Sequence, residues 1–139
     1  MDKKTVKRLK SYFAKRYDIA FALLFGSSVR NKIRKDGVVD IAAHFVPQRD
    51  IEWEAFGKRY KDENRIALDL EIIVKKDIDL VVLNRASSLV ADEILRTGLP
   101  ILIRDSKLFM SFLCIVSDEA EYVRTNLIES YEEKAIEAV

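Results

Sequence analysis

Cysteine, proline, glycine and histidine are all scarce in this chain of 139 residues, which has one Cys, two Pro, four Gly and one His. A lone Cys114 rules out an intramolecular disulfide, and without a second Cys there is no Cys-based zinc site. So few Gly and Pro leave little room for flexible linkers, which favours one domain across residues 1–139. No apolar run approaches the ~18 residues of a membrane span. The basic start, MDKKTVKRLKSYF, lacks the apolar centre of a signal peptide. Together these absences predict a cytoplasmic protein with no membrane attachment. A net charge of +1 gives the whole molecule no strong field toward nucleic acid or membrane.

What is present is apolar patterning. Val6, Leu9, Tyr12 and Phe13 recur at spacings of three and four in a helix over residues 3–16, with a basic outer face that is either solvated or turned to phosphate or RNA. Ile19 to Phe25 is an unbroken apolar run, expected of a strand covered on both faces inside a helix-backed sheet. Asp36-Gly37 forms a turn, and Val38 to Val46 a second strand ended by Pro47. Helical spacings from about Arg49 to Lys75 predict one long or broken helix, with breaks at Gly57 or Asp62-Glu63-Asn64 and with Trp53 and its neighbouring aromatics in the core. A third strand follows at Ile78 to Leu83. A helix then runs from Asn84, capped by Ser87 or Ser88 and stopped at Gly98, into a last strand at Leu99 to Arg104. Residues 106–139 carry no Gly or Pro and read as one long helix. Its first half is apolar nearly all round, which suits packing against a partner chain, and its tail from Glu129 to Glu137 is acidic. Alternating strands and helices predict an α/β sheet with helices against it.

Three places carry chemistry. Gly26-Ser27-Ser28 follows the first strand, where glycine permits a sharp turn and serines cap a helix whose free N–H groups attract an anion. The next segment, with Arg30, Lys32, Arg34 and Lys35, either neutralises phosphate or is a solvated face. Asp40 lies inside the second strand, where an acid is costly unless paired or bound to a cation. Alternation puts Val38, Asp40, Ala42 and His44 on one face, and His44 reads as an ordinary strand residue rather than a ligand. Asp79 lies in the third strand, with Asp77 two residues earlier on the same face.

Together these residues resemble the minimal nucleotidyltransferase (MNT) family of the polymerase-β type, over roughly residues 10–105. The family's signature is Gly-Ser, ten residues, then Asp-x-Asp. Here Gly26-Ser27 is followed by ten residues, Ser28 to Gly37, and then by Val38-Val39-Asp40. Arg30 also falls where the family has an Arg. Val38 stands in the place of the first aspartate, and Gly37 between Asp36 and the strand argues against Asp36 as its replacement.

The resemblance implies a polymerase-β-type α/β (α+β) fold, a small mixed sheet backed by helices with a long C-terminal helix. It implies that Gly26, Ser27, Ser28 and Arg30 bind a nucleotide, that Asp40 and Asp79 hold metal, and that Asp79 helps activate an attacking hydroxyl, with Mg²⁺ and ATP as cofactors. It also implies a HEPN-type toxin as partner, beside a homodimer through the C-terminal helix. Two carboxylates on one strand can clamp a metal pair ~3.5–4 Å apart for an in-line displacement at phosphorus. With Val38 present one of them is gone, so the expectation is weak or absent catalysis and action by binding the toxin. The alternative is an active Mg²⁺-dependent adenylyltransferase that moves AMP from ATP to a hydroxyl. A third reading is an RNA-binding adaptor that uses the basic first helix.

Overall fold

A computed structural model describes residues 1–29 and 37–137. Its helices are α1 (Lys3–Ala14), α2 (Glu63–Val74), α3 (Ser88–Thr97) and α4 (Ser106–Glu137). Its strands are β1 (Ile19–Phe25), β2 (Val39–Phe45), β3 (Ile78–Val82) and β4 (Leu99–Ile103). They form a four-stranded mixed sheet in the order β3-β2-β1-β4. β1 runs antiparallel to both its neighbours, and β2 runs parallel to β3.

The unbroken apolar run of β1 has the expected cause, since it is an interior strand with both faces covered. On one face Leu9 and Phe13 of α1 and Ile66 and Leu70 of α2 pack on Val39, Ile41, Ala43 and Phe45. On the other, Ala91 and Ile94 of α3 and Phe112 and Val116 of α4 pack on Phe21, Leu23 and Ala42. Alternate side chains of β2 therefore serve opposite layers. Asp2 caps α1 by accepting from the Thr5 N–H at 2.7 Å. Ser87 caps α3, its hydroxyl accepting from the Val90 N–H at 3.3 Å. At Gly98 a side chain would press on the carbonyl oxygens of Ile94 and Leu24, which lets the chain enter β4 close beside β1.

One expectation is corrected. The helical spacing from Arg49 is helix only from Glu63 onward, and residues 46–62 form an irregular connection. Glu54, Gly57 and Asp62 have positive φ, and carboxylates pin the loop to distant residues. Glu52 accepts from the Tyr60 hydroxyl at 2.8 Å and the Asn84 amide at 3.1 Å, and pairs with Lys58. Glu63 accepts both Arg85 guanidinium nitrogens, at 2.7 and 2.6 Å. Trp53 and Phe56 are exposed rather than in the core, and only Tyr60 among these aromatics packs inward, stacked on Phe45 at 4.7 Å. α4 is a single helix as expected. Its contact with the body ends near Arg124, whose guanidinium donates to the buried Asp92 of α3 at 2.8 Å. Every residue from Thr125 to Glu137 is exposed.

Candidate functional site

The site lies where β1 ends and β2 begins. Gly26–Ser28 make a single turn of 3₁₀ helix, closed by the Val29 N–H on the Gly26 carbonyl at 3.2 Å. Gly26 has φ +67°, a left-handed value that glycine adopts without penalty. Its missing side chain also has a spatial reason, because a Cβ here would lie 3.3 Å from Asp40 Cγ and collide with Oδ2. The turn and the acid therefore touch. Ser28 is only 5% exposed, and its Oγ has no hydrogen-bond partner among the described residues. A buried hydroxyl without a partner among the described residues is unusual and leaves an oxygen free to bond a group brought to the turn. Ser27 is half-buried beside it. Arg30, Lys32, Arg34, Lys35 and Asp36 lie outside the described residues.

Asp40 is the second residue of β2, opposite Phe25 on one side and in register with Asp79 of β3 on the other. In a parallel pair, residues in register present their side chains to the same face, so the structure brings the two predicted carboxylates together. Burial first, and the charge of Asp79 second, raise the Asp40 carboxyl above its ordinary value. Asp79 itself is exposed. Asp77 uses its carbonyl to accept the Val39 N–H at 2.9 Å, aligning β3 on β2 at this spot. Val38 comes just before β2, two residues ahead of Asp40, and is 45% exposed, an apolar side chain in water. His44 is fully buried, stacked on Phe21 at 4.9 Å and edge-on to Phe112 at 4.7 Å, with Nε2 3.0 Å from the Glu52 carbonyl. Burial lowers its pKa, which keeps it neutral and makes it the strand residue the sequence suggested.

A feature the sequence reading missed is a groove of about 320 Å³ between the Gly26 turn and α3, lined by Phe25, Leu89, Val90, Glu93, Ile94 and Thr97. Its only signal in the sequence is the helical spacing of those last five residues, which any packed helix shares.

Among the described residues no three metal-ligating side chains cluster. Mg²⁺ is held by one or two carboxylates, with phosphate and water completing the octahedron. Asp40 and Asp79 beside a turn able to hold phosphate fit one such ion. They are short of the carboxylates that a metal pair uses.

A four-stranded mixed sheet with a Gly-Ser turn set against a strand acid defines a nucleotidyltransferase of the polymerase-β type. The family model "Polymerase beta, Nucleotidyltransferase" matches residues 7–107, and the chain belongs to that family. No curated protein sequence matches it. Among solved structures it is similar to a chain of a toxin–antitoxin complex with AMP-PNP, at 16% identity and TM-score 0.68 over 91% of this chain and 97% of that one. It is similar to a chain of the toxin–antitoxin pair MntA–HepT, at 15% identity and TM-score 0.64 over 95% and 97%. A third is a complex of tri-AMPylated Shewanella oneidensis HEPN toxin with MNT antitoxin, at 15% identity and TM-score 0.62 over 93% and 98%. These likenesses establish the shared fold. No helix among the described residues is long and apolar enough to cross a membrane.

Proposed function

We propose that this chain is an MNT-type antitoxin of the cytoplasm. It binds ATP and Mg²⁺, transfers AMP weakly or not at all, and restrains a HEPN-type toxin mainly by contact. The observation that carries the reading is Val38, an exposed apolar residue two positions before Asp40, which stands in register with Asp79. The similarity to chains from toxin–antitoxin complexes supports the choice of partner, and the complex with AMP-PNP supports the choice of nucleotide.

In this reading the backbone N–H groups of Gly26–Ser28 and the unpaired Ser28 hydroxyl hold phosphate, with Arg30 adding charge. Gly26 admits the phosphate close to the strand because nothing projects from it. Asp40 and Asp79 hold Mg²⁺, which when bound neutralises phosphate charge and orients the triphosphate. Asp79, the more exposed carboxylate, is placed to accept a proton from an incoming hydroxyl. Without a carboxylate at position 38 the pocket has less negative charge for a second dication. Losing one such electrostatic partner costs roughly 10²–10³-fold in rate.

A second reading, the active adenylyltransferase, is favoured by one observation: the Asp40–Asp79 register is intact. Transfer of labelled AMP from ATP to a purified HEPN-type toxin separates the two readings. It should be assayed for the natural protein beside Val38→Asp and Asp40→Asn. The antitoxin reading expects little transfer from the natural protein, a gain from Val38→Asp, and toxin restraint that survives Asp40→Asn. Transfer by the natural protein that Asp40→Asn abolishes would make it an enzyme.

A further inference from the structure

The outer face of α1 lies away from the candidate site and plays no part in the reading above. Between Lys3 and Arg16 the chain has seven Lys and Arg and not one acid, although the whole molecule carries only +1. Lys3, Lys4, Lys7, Arg8, Lys10 and Lys15 are all exposed. Leu9 and Phe13 fix the opposite side of the helix into the core. At 100° per residue these six cations fall in one continuous arc, arranged as two rows, Lys3-Lys7-Lys10 and Lys4-Arg8-Lys15. Among the described residues no ion pair engages Lys3, Lys4, Lys7, Lys10 or Lys15. By contrast Arg16, just past the helix, pairs with Asp18 at 2.7 Å. The face is shallow and open, with about 410 Å³ of space beside Lys4, Lys7, Arg8, Ser11, Tyr12 and Lys15. Six clustered like charges repel one another, and apart from Asp2, whose charge Arg8 feels at the start of the helix, no acid stands among them.

The composition of this face narrows what it can meet. An amphipathic helix on a lipid surface inserts apolar side chains, and the exposed arc of α1 offers none larger than Ala14. A protein partner of the usual kind needs a buried apolar or aromatic anchor, which is missing for the same reason. Single-stranded nucleic acid is gripped by stacking on aromatic rings. Tyr12 is half-buried, with its hydroxyl tied to Asp69 at 2.7 Å. Tyr17, although exposed, is a single ring past the end of α1 with the Arg104 guanidinium over it, so the helix face itself carries no row of rings for successive bases. What remains is a partner bound through phosphates alone. A duplex has the densest phosphate array, and the major groove of B-form DNA admits a helix whereas that of A-form RNA is too narrow.

We propose that α1 is a docking surface for duplex DNA, bound through its phosphate backbone without regard to sequence. The test is fluorescence anisotropy with a labelled duplex of about 20 base pairs and arbitrary sequence, repeated from about 50 to 200 mM salt. Matching single-stranded DNA, duplex RNA and anionic lipid vesicles serve as parallel arms. The natural protein should bind duplex DNA with micromolar affinity, weakening steeply with salt, and bind the other three less tightly. Lys4→Glu with Lys7→Glu should weaken binding roughly tenfold or more and flatten the salt dependence by about two units of slope. The neutral pair Lys3→Gln with Lys10→Gln should weaken it less and in the same direction. All four positions are exposed, so circular dichroism and melting should show an intact fold. No binding to duplex DNA, affinity unchanged in both variants, or tighter binding to single strands, duplex RNA or vesicles would each overturn the proposal.

Discussion

Asp40 and His44 stand four residues apart on the same face of β2, and the protein treats them in opposite ways. For both, burial is the main influence on titration, and for both it favours the neutral form. At His44 hydrocarbon closes around the ring. Phe21 and Phe112 cover it, its Nδ1 has no partner among the described residues, and its neutral state is the final one. At Asp40 the strand has only just begun, one side is open to water, and a second carboxylate stands in register. A cation or a phosphate-bound metal would relieve that strain, and among the described residues no packed side chain does so. The difference teaches that an ionisable residue in a strand is not yet a site. The site begins where the layer of helices stops.

The sharpest way to break the comparison is to open the closed end. Phe112→Ala should cost about 3–5 kcal/mol in urea unfolding. It should also let His44 titrate closer to its ordinary value, which proton NMR of the imidazole would read. Next in size, Gly26→Ala forces a left-handed φ on a side chain and drives it into Asp40, at about 2–4 kcal/mol. Adding Asp40→Gly should recover part of that loss and identify the collision as its source.

Smaller effects follow from pH. The His44 pKa is lowered on folding, so its contribution is complete above the unfolded value of 6.5 and is lost as pH falls below it. Thermal melts at about pH 7.5 and 5.5 should show this loss, and His44→Phe should flatten it. Glu52 and Glu63 are also lowered, but theirs is lost only below 4.5, outside that window. Asp40 works the other way. Its raised pKa gives a contribution complete below 3.8 and lost as pH rises, so Asp40→Asn should slightly stabilise the free protein at neutral pH. Mg²⁺ with ATP should raise the melting temperature of the natural protein and not of that variant. Equal shifts in both would remove Asp40 from the candidate site.

The layered fold was legible because its signals are local. The unbroken run of β1, the alternation of β2 and the caps of α3 depend on neighbours in sequence, and so did the spacing that sets Gly26 against Asp40. The connection before α2 was not legible. Ile51, Ala55 and Phe56 have helical spacing, yet the segment is held by Glu52 on Asn84, Glu54 on Ser88 and Glu63 on Arg85. Those partners lie 22 to 34 residues away, where no periodic pattern can announce them. The groove beside α3 was hidden for a related reason, because a helix lining a cavity and a helix lining a core share one apolar rhythm.

β3 is an edge strand, and Asp79 is the one charge within Ile78-Asp79-Leu80-Val81-Val82. Such a strand presents unpaired backbone groups to any other chain, and a charge on it is how natural sheets discourage that pairing. The carboxylate proposed to hold metal and take a proton is thus also the one charge on an edge that could pair with another chain. Asp79→Asn should cost solubility at high concentration whether or not any nucleotide is present, which light scattering would register. A residue carrying both duties would be costly to exchange whether or not the chain transfers AMP.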